Sequence, residues 1–479
     1  MNLLKKELIL RRYQEDILNK SKSENTLIVL PTGLGKTIIA LSLVVMELKR
    51  NPEKIIIFLA PTRPLVEQHH VLFEEYLDKK MIVSTGKTPP LKRKEDYKNS
   101  QIIFATPQTI ENDILTNRID LSKISLIIFD EAHNARKDYA YSFINTAYQK
   151  NGCGRVIGLS ASPGSTKQKI REIITNLSIE NVVYKGEKDL DVSPYTKMKK
   201  IIPITVELPE EFIEIKKLLQ KTRTILKNDL ENKNIKIISK SKNELLSLQK
   251  KLIGLSRTDP SNYYLIKIVA SLIKVNYCIE LLELEGIHIL QKYFKTMKKN
   301  KSKSSQLLIQ DFYFKTAMTK SFLTELEHPK IFELEKIIKN TNLKTEKIII
   351  FSKHRDNSKR LAKILNKLDG VNAKEFLGQK TGYTQKTQLK TLQDFKEGIT
   401  NILIATSVIH EGVHVQNASV GIFFEPTPSA ISSIQRKGRI GRNGLGKIYV
   451  LMTKDGIDEK YYWASIQNEK RLKKNIDSL

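Results

Sequence analysis

Short apolar runs constrain this chain more than any other feature. In the first part of the sequence they fall at residues 26–30, 54–60, 81–84, 101–106, 126–130 and 155–160. None alternates apolar with polar residues, so each predicts a strand covered on both faces, as in a parallel sheet. Helical stretches such as 37–49 and 64–77 separate them. Strand–helix repetition of this kind predicts a doubly wound α/β domain. The alternation returns beyond residue 335, with strands expected at 347–352, 372–377, 401–406, 419–425 and 446–453 and helices at 354–368, 384–396 and 431–437. Between these regions the apolar residues change to helical spacing, at 210–231, 242–252, 262–284 and 306–326. The expected architecture is therefore α/β. It has two parallel-sheet domains at 1–194 and 336–479 and an all-helical insert at 195–335. A terminal amphipathic helix, 458–476, carries the one tryptophan, Trp463, expected to pack rather than to recognise a ligand.

The first run leads into Pro31-Thr32-Gly33-Leu34-Gly35-Lys36-Thr37 and then a helix. A strand–turn–helix of this composition suits phosphate. Backbone N–H groups at the helix start are unpaired, and the helix dipole favours an anion there. Gly33 and Gly35 let the backbone come close, Lys36 can reach the outer phosphates, and Thr37 offers a hydroxyl to Mg²⁺. The strict pattern asks for glycine at position 30, where this chain has Leu30. The fifth run ends in Asp130-Glu131-Ala132-His133. Adjacent carboxylates at a strand end can divide labour: Asp130 holds Mg²⁺, and Glu131 orients and deprotonates a water. Acids decorating a helix start are the plainer reading of that pair alone; together with the phosphate loop they form one constellation.

Other residues are less specific. Gln14, opening a helical segment after Arg11-Arg12-Tyr13, either reads an adenine edge or is an ordinary solvated glutamine. Strand ends carrying Arg63, Thr106 and Ser160 offer cations, hydroxyls and N–H groups suited to a phosphate backbone, or act as helix caps. Arg439 and Arg442 sit among glycines in Gln435-Arg436-Lys437-Gly438-Arg439-Ile440-Gly441-Arg442. Planar guanidiniums suit the charge on a transferring phosphoryl group.

Composition narrows the partners. The formal net charge is +29, with a pI near 9.7. Nucleic acid is the leading reading of so large a sum, against basic drift in a Lys-rich proteome. The segment 197–330 holds 26 Lys and Arg against 14 Asp and Glu, a net +12. Its peak is 291–306, with Lys292, Lys295 and Lys298 beside Tyr293 and Phe294, read as a nucleic-acid contact or a solvated loop. No apolar run is long enough to span a membrane, and the N-terminus does not read as a secretory signal. Two distant cysteines, Cys153 and Cys278, fit a reducing compartment, and the expected location is cytoplasmic, with nucleoid association in a prokaryote.

The ordered stretches PTGLGKT, APTRPLVEQ, ATPQTIEND, DEAH, SAS, FSKHRDN, IATSVIHEGVHV and QRKGRIGR resemble superfamily 2 helicases with two RecA-like domains. The loop form, the Arg11-x-Tyr13-Gln14 entry and the helical insert resemble the Hef and Fanconi-anaemia-M group. The resemblance implies an ATP- and Mg²⁺-dependent helicase or translocase working on forked or branched DNA. Gln14, Thr32, Gly33, Gly35, Lys36, Thr37 and Asp130 would bind ATP and metal, with Glu131, Gln435, Arg439 and Arg442 completing catalysis. His133, Ser160 and Ser162 would couple the sites, and Arg63, Thr106, Thr406 and Gly412 would lie near the nucleic acid. His414 stands where many relatives have an aspartate that contacts ribose, which puts that contact in question. No nuclease motif is found, so any XPF-type nuclease is expected on a separate chain. The alternatives are an RNA helicase or double-stranded-RNA translocase, and an ATP-gated clamp with weak turnover. Oligomeric state is not legible.

Overall fold

The structure is a computed structural model, and it describes residues 3–136, 139–151, 154–161, 163–164, 166–187, 189–195, 199–235, 242–256, 259–260, 262–300, 302–378, 383–406, 418–426 and 446–476. The first sheet contains β1 (Thr26–Val29), β2 (Ile55–Leu59), β3 (Met81–Ser84), β4 (Ile102–Ala105), β5 (Ile124–Phe129), β6 (Arg155–Ser160) and β7 (Asn181–Tyr184). Its order is β3-β4-β2-β5-β6-β1-β7, every pair parallel. Neighbouring residues on one strand serve opposite cores. Ile28, Leu126 and Ile128 pack on one face, and Leu27, Ile127 and Phe129 on the other. Helices cover both faces: α1 (Arg12–Lys20), α2 (Lys36–Arg50), α3 (Arg63–Tyr76), α4 (Pro90–Lys98), α5 (Pro107–Leu115), α6 (Ala140–Asn151) and α7 (Lys167–Asn176).

The next strand, β8 (Lys199–Val206), corrects the expected insert boundary. It crosses to the second sheet and pairs in parallel with β13 along its whole length, Lys199 opposite Gly446 through Val206 opposite Thr453. The second sheet comprises β8, β9 (Ile348–Phe351), β10 (Ala373–Phe376), β11 (Ile402–Ala405), β12 (Val420–Phe423) and β13 (Gly446–Thr453), in the order β10-β11-β9-β12-β13-β8. The run 199–206 carries lysines at its start and a proline, which masked it as a strand. The insert then runs through α8 (Glu210–Asn232), α9 (Lys242–Leu255), α10 (Asn262–Leu284), α11 (Ile287–Lys299), α12 (Lys303–Gln310) and α13 (Phe312–Leu323). These helices close around one apolar core that includes Phe212, Leu272, Phe294 and Phe314. The following helix, α14 (Pro329–Lys339), belongs to the second domain instead, because Ile331, Leu334 and Ile338 enter that domain's core. The second domain is completed by α15 (Arg355–Leu365), α16 (Gln385–Glu397) and α17 (Ile457–Ile476). In α17 the tryptophan packs only in part: Trp463 is 53% exposed, its ring lies edge-on to Tyr462 at 5.3 Å, and Tyr462 is the residue that enters the core.

The end of α10 bolts the insert to the second domain. The Glu283 carbonyl accepts from His328 Nε2 at 3.0 Å and Thr453 Oγ1 at 2.8 Å, and its carboxylate accepts from the Ile457 N–H at 2.9 Å. Burial pushes His328 down to about 3, so its ring is neutral, and Nδ1 accepts the Lys330 N–H at 3.1 Å. Lys330, fully buried on α14, pairs with Asp458 at 2.5 Å and donates to the Phe424 carbonyl. Beside this pair, Glu285 of the insert bonds His354, and Glu425 accepts from the Lys353 N–H and from Asn357 Nδ2.

Burial, and then the Glu285 carboxylate, push Glu425 up to about 7, and hydrogen bonding to Glu285 raises His354 against the opposing effect of its own burial. A raised folded-state pKa contributes stability that is full below the unfolded value and lost as pH rises through the folded one. Glu425 therefore weakens the joint as pH rises from about 4.5 through about 7, and His354 weakens it as pH rises above about 6.5. Glu425→Gln removes one of these titrations. Its unfolding free energy relative to the parent is expected to shift in the variant's favour by about 2–3 kcal/mol from pH 5 to pH 8, measured by denaturant melts at both pH values.

Candidate functional site

Parallel pairing puts the carboxyl ends of β1, β2, β5 and β6 on one edge of the first sheet, where the predicted residues collect. The loop after β1 explains its own departure from the strict pattern. Leu30 is fully buried, and its N–H bonds the Ser160 carbonyl at 3.0 Å, so one residue past β1 the chain is still tied to β6 and position 30 stands ahead of the turn. Gly33 and Gly35 both take left-handed backbone, with φ of 85° and 84°, and Gly35 caps α2 in that conformation. Lys36 Nζ donates to the Leu30 carbonyl at 2.9 Å, folding its ammonium over the turn. Thr37 stands in the first turn of α2.

The turn rests on α1. Tyr13 Oη donates to the Leu34 carbonyl at 2.8 Å, and Gln14 Nε2 donates to the same carbonyl at 3.1 Å. Gln14 Oε1 accepts the Arg11 N–H at 2.9 Å. Gln14 is thus only 4% exposed and holds the loop from below. To read an adenine edge through both amide atoms it would exchange these bonds for base contacts. In sequence Tyr13 has a place in the Arg11-x-Tyr13-Gln14 entry but no role of its own. Its signal was an aromatic beside Gln14 in a helix that precedes the loop strand.

The carboxylates occupy the end of β5. Asp130 is 6% exposed, and its backbone is tied at both ends: its N–H bonds the Leu59 carbonyl at 2.9 Å, and its carbonyl accepts Tyr141 Oη at 2.6 Å. Its Oδ2 lies 2.9 Å from Nε2 of His69 on α3. Glu131 sits in left-handed backbone, φ 49° and ψ 49°, a conformation non-glycine residues seldom adopt and one that clusters where function demands it. The His133 imidazole lies 3.2 Å from the Glu131 carboxylate. Ser160 ends β6, joined to the loop through the Leu30 bond. His69 and Tyr141 were missed by sequence reasoning. The available signal was a His69-His70 pair two turns into a helix that follows a strand end.

The other predicted contacts are more dispersed. Arg63 opens α3 and donates from Nε to Glu67 at 2.6 Å. Thr106 precedes α5, and its hydroxyl bonds that of Thr109 at 2.8 Å. Thr406 follows β11 and bonds the Phe376 carbonyl through its N–H at 3.3 Å. On α11, Lys292 pairs with Asp356 at 2.6 Å, while Lys295 and Lys298 lie over the Phe322 ring at 5.7 and 5.4 Å. The basic segment is thus largely helix, with one lysine engaged on the second domain. Ser162, Gly412, His414, Gln435, Arg439 and Arg442 lie outside the described residues.

Two family models match the chain. "Type III restriction enzyme, res subunit" matches residues 7–165, and "Helicase conserved C-terminal domain" matches residues 329–444. The chain is 37% identical to "Putative ATP-dependent RNA helicase MJ1505" of Methanocaldococcus jannaschii, an alignment covering 99% of this chain and 61% of that protein. It is 29% identical to "ATP-dependent DNA helicase mph1" of Neurospora crassa, covering 94% of this chain and 42% of the relative. It thus spans less than two thirds of the curated relatives' length. The crystal structure of the Pyrococcus furiosus Hef helicase domain is similar at 39% identity and a TM-score of 0.71, over 95% of this chain and 98% of that one.

The loop geometry gives a direct test. A Cβ at Gly35 would lie 2.4 Å from Gln14 Nε2, whereas one at Gly86 meets nothing within 4 Å. Left-handed strain of about 1–2 kcal/mol adds to the displacement of Gln14. Gly35→Ala is therefore expected to lower stability by about 2 kcal/mol in nucleotide-free thermal melts, with Gly86→Ala close to the parent.

Proposed function

The chain belongs to the Hef and Fanconi-anaemia-M-like branch of the superfamily 2 helicases, and on that premise we propose that it hydrolyses ATP to translocate on DNA and remodel forked or branched duplexes. The observation that carries this reading is the meeting of the glycine loop and the Asp130-Glu131 pair on one edge of one sheet. The basic helical insert, bolted to the other sheet, accounts for a grip on duplex.

The donor set fits a magnesium nucleotide. A buried carboxylate and a threonine hydroxyl are hard oxygen ligands, and Mg²⁺ keeps waters while taking one or two such groups plus phosphate oxygens. Bound Mg²⁺-ATP supplies the cleavable phosphoryl group and its counter-charge. In this reading the N–H groups from Gly33 to Thr37 cradle phosphate, Lys36 leaves the Leu30 carbonyl for the outer phosphates, and Thr37 and Asp130 hold the metal. Glu131, held by its unusual backbone, orients the attacking water and takes its proton. Gln435, Arg439 and Arg442 complete the site from the second domain. Closing and opening of the two domains would then advance Arg63, Thr106, Thr406 and Gly412 along a backbone, with His133, Ser160 and Ser162 passing the change between sites.

A relative named as an RNA helicase favours a second reading, an RNA or double-stranded-RNA substrate. Core contacts to backbone barely separate the two. Steady-state ATPase should rise most with forked DNA or a four-way junction, assayed at one stated salt concentration. Equal or greater stimulation by double-stranded RNA would favour the second reading. Glu131→Gln should cut ATPase and strand displacement by at least about 10²-fold while retaining nucleotide binding. Survival of both activities would sink the assignment.

A further inference from the structure

His69 lies inside the first domain. It is 5% exposed, its ring centre is 4.6 Å from that of Phe58, and Nε2 faces Asp130 Oδ2 at 2.9 Å. Its Nδ1 is buried without a hydrogen-bond partner among the described residues. Because the Asp130 backbone is already fixed by Leu59 and Tyr141, His69 sets the remaining freedom, the direction of the carboxylate. Partners of this kind orient carboxylate ligands and tune their metals. The same helix opens with Arg63 on the edge assigned to nucleic acid, six residues or about 9 Å away along the axis. Arg63 Nη1 is buried and unpartnered among the described residues.

We propose that His69 is a positioning residue that aims Asp130, and that α3 is the rigid link by which nucleic acid at Arg63 and magnesium nucleotide at Asp130 sense each other. The proposal rests on the ATP-site reading above. Coupling of this kind is reciprocal: the factor by which DNA changes nucleotide affinity equals the factor by which nucleotide changes DNA affinity. A histidine that merely fills the core would alter stability without altering that factor.

The test is equilibrium binding of a fluorescent, non-hydrolysable ATP analogue, in Mg²⁺ and in EDTA, with and without saturating forked DNA. The parent should show a DNA-dependent change in Mg²⁺-analogue affinity. His69→Leu should reduce that change at least fivefold while keeping affinity in EDTA within twofold. His69→Gln, whose amide N–H can still reach Asp130, should retain more than half of it, and the shorter His69→Asn should not. This polar pair serves if the leucine variant fails to fold. Equal behaviour of the Gln and Asn variants, parallel loss in Mg²⁺ and EDTA, or no DNA effect in the parent would overturn the proposal. Asp130→Asn separates the two readings. If it leaves the Mg²⁺-dependent tightening intact, the ATP-site reading itself falls; if it abolishes that tightening while His69→Leu keeps the DNA effect, only the role of His69 falls.

Discussion

Parallel pairing is the constraint on which this molecule depends. Every assigned strand pair in both sheets is parallel, so each strand must be followed by a crossover before the chain can return beside it. The carboxyl ends therefore share one edge, and whatever follows them is delivered to one place. That is why the glycine turn after β1, the carboxylates after β5 and Ser160 at the end of β6 are neighbours although the sequence separates Gly35 from Asp130 by 95 residues and from Ser160 by 125. The helices of the crossovers bury both faces of the sheet, leaving this edge as the part of the scaffold free to carry chemistry.

The second dependence is the joint at the end of α10. It gathers the buried Glu283, Glu285, His328, Lys330, Glu425 and Asp458 and the half-buried His354 into one polar cluster. Such a network costs desolvation and gives little net stability when intact, yet losing one partner is expensive, about 3–5 kcal/mol. Its directional bonds hold the insert to the second domain in one orientation, which a purely apolar contact would leave free to slide. With β8 crossing into the second sheet ahead of the insert, the bundle is flanked on both sides in sequence by that domain.

Much of the fold was legible because its signals are local. Runs such as 81–84, 155–160 and 446–453 coincide with the observed strands, and 262–284 with α10. The failures have physical reasons. β8 carries lysines and a proline and becomes a strand only because β13 offers it an edge. The expected insert boundary at 335 cuts through α14, whose apolar face alone does not say which core will take it. Trp463 could be placed on a helix but not on a face. Within the site, residue types at fixed spacing announced the loop and the carboxylate pair. His69 and Tyr141 carry no such spacing, and with Tyr13, whose role the Arg11-x-Tyr13-Gln14 entry does not reveal, they act through contacts made across the fold.

The amino-acid sequence by itself determined the class of the domains, the glycine turn and the adjacent acids, because strand burial, glycine backbone freedom and carboxylate chemistry are properties of short stretches. The tertiary structure alone decided that Leu30 is tied to the end of β6, that Gln14 supports the loop from below, that the Asp130 carboxylate meets a histidine from α3, and that the insert rides on the second domain. Those outcomes depend on distances between residues far apart in the chain, and only packing sets such distances.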